Sequence, residues 1–100
     1  MRIIALSTIK KFWKDNPEYS DARESLLVWY RHTLLADWTS PEELKKDFAH
    51  ASVLKNGRVV FNIAGNKYRL VVWVNYAYRI VYIRFVGTHK QYDLIDAQHI

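Results

Sequence analysis

The apolar positions of this chain follow two periods. In the first half they recur at threes and fours: Ile9, Phe12 and Trp13, then Tyr19, Ala22, Leu26, Trp29, Tyr30, Leu34 and Leu35. That spacing predicts two amphipathic helices. Ser7 reads as the N-cap of the first, with Lys10, Lys11 and Lys14 on its other faces. Asn16-Pro17 separates the two, because proline cannot continue a helical ladder but fits the first turn of a new one. Ser40-Pro41-Glu42-Glu43 opens a short third helix carrying Leu44 and Phe48, with Ser at the N-cap, Pro at N1 and Glu at N3.

From residue 58 the period falls to two, the signature of strands. Asn56-Gly57 marks a turn. Val59, Phe61 and Ile63 then alternate with Arg58, Val60 and Asn62. Ala64-Gly65-Asn66 reads as a hairpin connection, Gly65 and Asn66 both tolerating positive φ. In 67–74, Tyr68, Leu70, Val72 and Val74 oppose Lys67, Arg69, Val71 and Trp73. In 79–86, Val81, Ile83 and Phe85 oppose Ile80, Tyr82, Arg84 and Val86. With a short opening strand over 2–6, this predicts an α+β domain: an antiparallel sheet of about four strands, with two or three helices packed on one face. The other face is left with Lys67, Arg69, Arg84 and aromatic rings. Thr88 can cap a terminal helix over 89–97 that stacks His89, Tyr92, Asp93 and Asp96.

Length changes this picture little: 100 residues make a single domain over 1–100, half of them apolar or aromatic, enough for one modest core. Charge changes it more. The net charge is +5, and its placement is lopsided: eight of the ten acids precede residue 48. No carboxylate lies between Asp47 and Asp93, where Lys55, Arg58, Lys67, Arg69, Arg79, Arg84 and Lys90 all sit. The sheet half therefore faces something anionic, and RNA fits best. There is no cysteine, which removes disulfides and thiolate metal sites. The four apolar residues Ile3, Ile4, Ala5 and Leu6 are too few for a signal-peptide core, and no apolar run approaches a membrane span. The expectation is a cytoplasmic protein without a membrane partner.

RNA carries its own nucleophile, the 2′-hydroxyl. Its cleavage needs a base for that hydroxyl, an acid for the leaving 5′-oxygen, and cations where charge gathers on phosphorus; no metal or other cofactor is required. Arg69 and Arg84 suit the phosphate, since guanidinium forks match its oxygens. His89 suits proton transfer, Tyr92 can assist it, and Asp93 four residues on can orient the imidazole. Lys67 and Lys90 can anchor phosphates, and Trp73 and Tyr82 can stack unpaired bases. Each also has an ordinary structural reading: surface arginines, a capping histidine, an anchoring tyrosine, an aromatic cross-strand pair. The four histidines are scattered, with no paired metal-ligand motif, and no Gly-rich phosphate loop or nucleophile elbow is present.

The segment Phe61-Asn62-Ile63-x-Gly65-Asn66-Lys67-Tyr68-Arg69-Leu70, followed by Ile83-Arg84 and Thr88-His89-Lys90-x-Tyr92-Asp93, resembles the signature of HigB-type toxins of bacterial type II toxin–antitoxin systems. Ser40-Pro41-Glu42-Glu43-Leu44 upstream also fits. The resemblance implies a RelE-like fold and an endonuclease that cuts mRNA mostly on the ribosome. It also implies a cognate antitoxin of the HigA type that holds the enzyme inactive. It assigns Arg69 and Arg84 as sheet arginines of the active site and His89 and Tyr92 as its C-terminal pair. Asn66, Lys67, Lys90, Trp73 and Tyr82 fall to RNA binding. Ala64 stands where such toxins often carry a second glycine, and Gln91 where glutamate is common. Two other readings use the same basic face: a non-catalytic RNA- or ribosome-binding module, and a domain that meets an acidic partner protein.

Overall fold

A computed structural model describes residues 1–100. The elements run β1 (Arg2–Ile4), α1 (Leu6–Lys14), a 3₁₀ turn (Pro17–Tyr19), α2 (Ala22–Leu35), α3 (Pro41–Asp47), β2 (Ser52–Val53), β3 (Arg58–Ile63), β4 (Tyr68–Asn75), β5 (Ile80–Thr88) and α4 (His89–Tyr92). The sheet has five strands in the order β1-β5-β4-β3-β2. It is mixed, since β1 runs parallel to β5 while the remaining pairs are antiparallel. The strand beyond the expected four is β2; two residues are too short to show any alternation.

The expected apolar faces pack on the helices. Val59, Phe61, Ile63, Tyr68, Leu70, Val72, Val74, Val81 and Ile83 form one cluster with Ile9 and Phe12 of α1, Leu26 and Trp29 of α2 and Leu44 of α3. Leu26, Leu70 and Val72 are wholly buried, each worth about 1.5–3 kcal/mol of transfer free energy. α1 starts one residue before Ser7, from an extended Ala5, and Ser7 makes no capping bond. α2 starts at Ala22 rather than at Pro17, which opens the 3₁₀ turn instead. At α3, Ser40 Oγ accepts from the Glu43 N–H at 3.4 Å. The Glu43 carboxylate reaches back to Thr39 N–H and Oγ1 rather than to Ser40, and those bonds hold its pKa below the usual carboxylate value.

Three departures shape the open face of the sheet. First, β5 carries a bulge: Val72 pairs with Ile83 and Val71 with Phe85, leaving Arg84 as the extra residue. One inserted residue reverses a period of two. Beyond it Val86 turns to the core and Phe85 to the open face, opposite to simple alternation. Second, the β3–β4 turn places positive φ at Ala64 (+52°) and Gly65 (+68°), not at Asn66. Third, α4 ends after one turn at Tyr92, and Asp96 pairs with His99 at 2.6 Å instead of stacking on the helix. The residues after it fold across the open face. Ala97, with Ile95, Ile100, Tyr92 and Leu54, covers Val60, Val71 and Phe85, whose apolar surface would otherwise face water.

Candidate functional site

The open face is built in rows across the strands. Asn62, Arg69 and Gly87 form one, Val60, Val71 and Phe85 the next, and Arg58, Trp73 and Tyr82 a third. The middle row is the one covered by the C-terminal residues. Basic and aromatic side chains flank it on both sides.

Arg84 stands on the bulge, exposed, and makes neither a hydrogen bond nor an ion pair. Its guanidinium carbon lies 5.6 Å from the Trp73 ring centroid and 5.5 Å from that of Tyr82. Those rings stack at 4.8 Å with planes 21° apart. Arg69 is half-buried and donates from Nη1 to the Asn66 carbonyl at 3.1 Å and to the Tyr68 carbonyl at 3.3 Å. Arg84 lies three residues before Gly87, the partner of Arg69, and the bulge between them puts both arginines on one face, about 10 Å apart along β5.

Thr88 caps α4 with a reciprocal pair of bonds: its Oγ1 accepts from Gln91 N–H at 3.1 Å, and Gln91 Oε1 accepts from Thr88 N–H at 2.8 Å. Gly87 allows this, because a Cβ there would lie 2.6 Å from Gln91 Oε1 and from Phe85 Cζ. On this turn His89 Nδ1 faces Asp93 Oδ2 at 3.2 Å, the orienting contact the spacing predicts. Lys90 is exposed and unpaired. Tyr92 is half-buried against the middle row.

Lys67 is placed differently from expectation. It lies in the hairpin turn, not on the open face of β4, and its Nζ bonds Asp21 Oδ2 at 2.8 Å. Tyr68 Oη donates to the other oxygen of the same carboxylate. Lys67 first, and Tyr68 second, hold the Asp21 carboxyl below its usual pKa; burial, with Asp21 beside it, pushes the Tyr68 phenol up to about 12. Asn66 is exposed at the hairpin tip, where its carbonyl holds Arg69. Pattern reading missed Arg58 as a site residue. Its Nε and Nη2 clamp the Ile100 main-chain oxygen at 3.1 and 2.7 Å, and it lies 5.9 Å from the Trp73 ring. The signal was its parity with Val60 and Asn62 just after the Asn56-Gly57 turn. No three His, Asp or Glu side chains gather closely enough to hold a metal ion, and no helix is long and apolar enough to cross a membrane.

Fold and face together define a class: a one-sheet α+β domain with helices behind and, in front, an arginine-bearing face whose strands β2 to β5 carry no carboxylate. Comparison with known proteins agrees. The family model for HigB toxin, the RelE-like toxic component of a toxin–antitoxin system, matches residues 22–95. The mRNA interferase toxin HigB of Escherichia coli K12 is 34% identical over 93 residues, covering 90% of this chain and 89% of its own. The protein named mRNA interferase HigB in Shigella flexneri matches with the same identity and coverage. That of Escherichia coli O6:H1 strain CFT073 is 25% identical over 95 residues, 93% of this chain and 89% of its own. The chain belongs to the HigB family of RelE-like toxins.

Proposed function

We propose that the chain is an mRNA endonuclease that acts on message during translation, without a metal, and is restrained by a HigA-type antitoxin. The observation that carries the reading is Arg84. Of the four arginines in the carboxylate-free half, Arg58, Arg69 and Arg79 each donate hydrogen bonds within the protein, and Arg84 donates none. An arginine aimed from a bulge into solvent, over two rings, is available to a phosphate. In this mechanism a base takes the proton of the RNA 2′-hydroxyl, the 2′-oxygen bonds to phosphorus, and the P–O5′ bond breaks as an acid protonates the leaving oxygen. The products are a 2′,3′-cyclic phosphate and a 5′-hydroxyl. His89, oriented by Asp93, is the main proton-transfer residue and Tyr92 assists it. Arg84 and Arg69 hold the phosphodiester at and beside the cut and stabilise the charge that develops there. Asn66, Lys90, Trp73 and Tyr82 grip the flanking nucleotides. Lys67 acts through Asp21, fixing the hairpin that carries Arg69.

A second reading, a non-catalytic RNA- or ribosome-binding module, is favoured by the packing of Tyr92 against Val71 and Val60, which suits an anchor. Primer extension on a reporter mRNA, translated in extract and in parallel as naked RNA, decides between the two. Cuts that appear in translated message, with cyclic-phosphate and 5′-hydroxyl ends, support the endonuclease. No cuts from folded, antitoxin-free protein support the binding module, and 3′-hydroxyl ends refute 2′-oxygen attack.

A further inference from the structure

We infer that the end of the open face built by Arg2, Arg58, Trp73 and Tyr82, beside Arg84, is a subsite flanking the cut that holds an unpaired nucleotide of single-stranded RNA, and that Arg2 is a phosphate contact in it. The inference rests on the reading above only for the identity of the ligand. The geometry comes from the register. Ile4 pairs with Tyr82, Tyr82 with Trp73 and Trp73 with Arg58, so one open-face row spans four strands. Arg2 pairs with Ile80 one step further along, on the same face. Its side chain is exposed and has no partner.

Trp73 and Tyr82 belong to neither apolar cluster of the molecule. A cross-strand aromatic pair stabilises any sheet, but that gives no reason for cations to collect on it. Here Arg84 lies over both rings, Arg58 over Trp73, and Arg2 of β1 one row away, and strands β2 to β5 carry no acid. The seat of the indole is also specific. A Cβ at Gly57 would lie 2.9 Å from Trp73 Cδ1 and Nε1, and Gly57 has φ +74°. Main chain therefore passes directly under the ring, and any other residue there displaces it. The covered row of Val60, Val71 and Phe85 separates this end from Arg69 and the α4 end. From the Trp73 row to the Arg69 row is four residues, about 13 Å. An RNA strand crossing the face thus meets two grips with an apolar mound between them.

The test is binding of a non-cleavable 2′-O-methyl oligoribonucleotide, read by fluorescence anisotropy across a salt series. Tyr82→Leu should weaken binding about 5- to 150-fold with an unchanged salt slope, since it removes a stacking surface and no charge. Arg2→Gln should flatten the slope by about 0.7, one phosphate contact on a single strand. Lys10→Gln, on the helical side, should not change it. If the leucine variant folds poorly, Arg2→Gln, at an exposed side chain without a partner, carries the test by itself. Sedimentation with ribosomes separates the source: loss only when mRNA is present indicates message, and loss with empty ribosomes indicates ribosomal RNA. Wild-type affinity and slope in both Tyr82→Leu and Arg2→Gln overturn the subsite, as does an absence of RNA binding at low salt, which would point to an acidic protein partner. Cleavage is scored independently. Lost binding without any cleavage by wild type refutes the endonuclease and leaves the subsite; normal cleavage with unaltered binding does the reverse.

Discussion

Replacing Arg84 with alanine separates a structural arginine from a functional one, because the two roles differ in size. Arg84 has no hydrogen bond or ion pair to lose. Its only interactions are with the Trp73 and Tyr82 rings, at 5.6 and 5.5 Å. Cation–π contacts at exposed sites are worth about 0.5–1 kcal/mol, and one guanidinium shared between two rings gains little from the second. The stability loss should be about 1 kcal/mol, a fall in Tm of about 4–8 °C for a domain of this length. Removing a donor aimed at developing charge costs far more, about 10²–10³-fold in rate. Arg84→Ala should therefore melt cooperatively a few degrees below wild type and lose at least about 100-fold in cleavage. Arg84→Lys, which keeps the charge but not the fork, should fall between. The assays are a thermal melt by circular dichroism and time-resolved primer extension in a translating extract. A folded Arg84→Ala protein that cleaves within threefold of wild type refutes the assignment. A collapse of the melt shows that the bulge itself needs the arginine.

Ala64→Gly should stabilise the protein by about 0.5–1 kcal/mol, read as a higher urea midpoint, because Ala64 holds φ +52° at a cost glycine does not have. The Asp21 carboxyl has a folded pKa below its ordinary value, so its contribution is present above the unfolded pKa and is lost as pH falls through the folded one; Asp21→Asn should flatten the acid side of the stability–pH curve. Tyr68 has the opposite sign: raised from 10.0 to about 12, it contributes fully below pH 10 and loses that contribution as pH climbs towards 12, so Tyr68→Phe should flatten the alkaline limb. Arg58→Ala should release the clamp on Ile100 and raise amide exchange over residues 94–100 while β3 and β4 stay protected.

Much of this fold was legible because its two periods are clean. The core faces of β3 and β4 follow from Val59, Phe61, Ile63 and Leu70, Val72, Val74, and the helices from Ile9, Phe12, Leu26 and Trp29. The failures have local causes. No residue type announces the bulge at Arg84, and a single added residue exchanges Phe85 and Val86 between faces. The hairpin Ala64-Gly65-Asn66 offers two residues that tolerate positive φ, and the chain takes Gly65 together with Ala64, which does not favour it, instead of Asn66. Alternation carried one residue ahead of the start of β4 puts Lys67 on the open face, whereas the residue lies in the preceding turn. Of the site, Arg69, Arg84, Trp73 and Tyr82 fall on the open face as expected. His89 meets Asp93 as i,i+4 spacing requires. The C-terminal cover was illegible, since residues 94–100 have no period to read.

The charge asymmetry gains its meaning only when the cations are followed to their partners. Two in the sheet half are answered by acids from the helical half: Lys67 by Asp21 at 2.8 Å and Arg79 by Asp37 at 2.7 Å. Arg58 and Arg69 are answered by main-chain oxygens, those of Ile100 and of Asn66 and Tyr68. Lys55, Arg84 and Lys90 have no partner. Carboxylates of the helical half thus meet cations in the turns at the ends of the strands, where those cations serve the fold, and none pairs with Arg84. A surface arranged only for stability would place acids beside Arg84, since a like-charged face repels itself. The bulge compounds this by lifting Arg84 out of the ladder that orders its neighbours. Fold and site are therefore in tension at one residue, and the sheet tolerates it because Val72 and Ile83 beneath still close the core. This is why Arg84→Ala should cost the fold little and the reaction much.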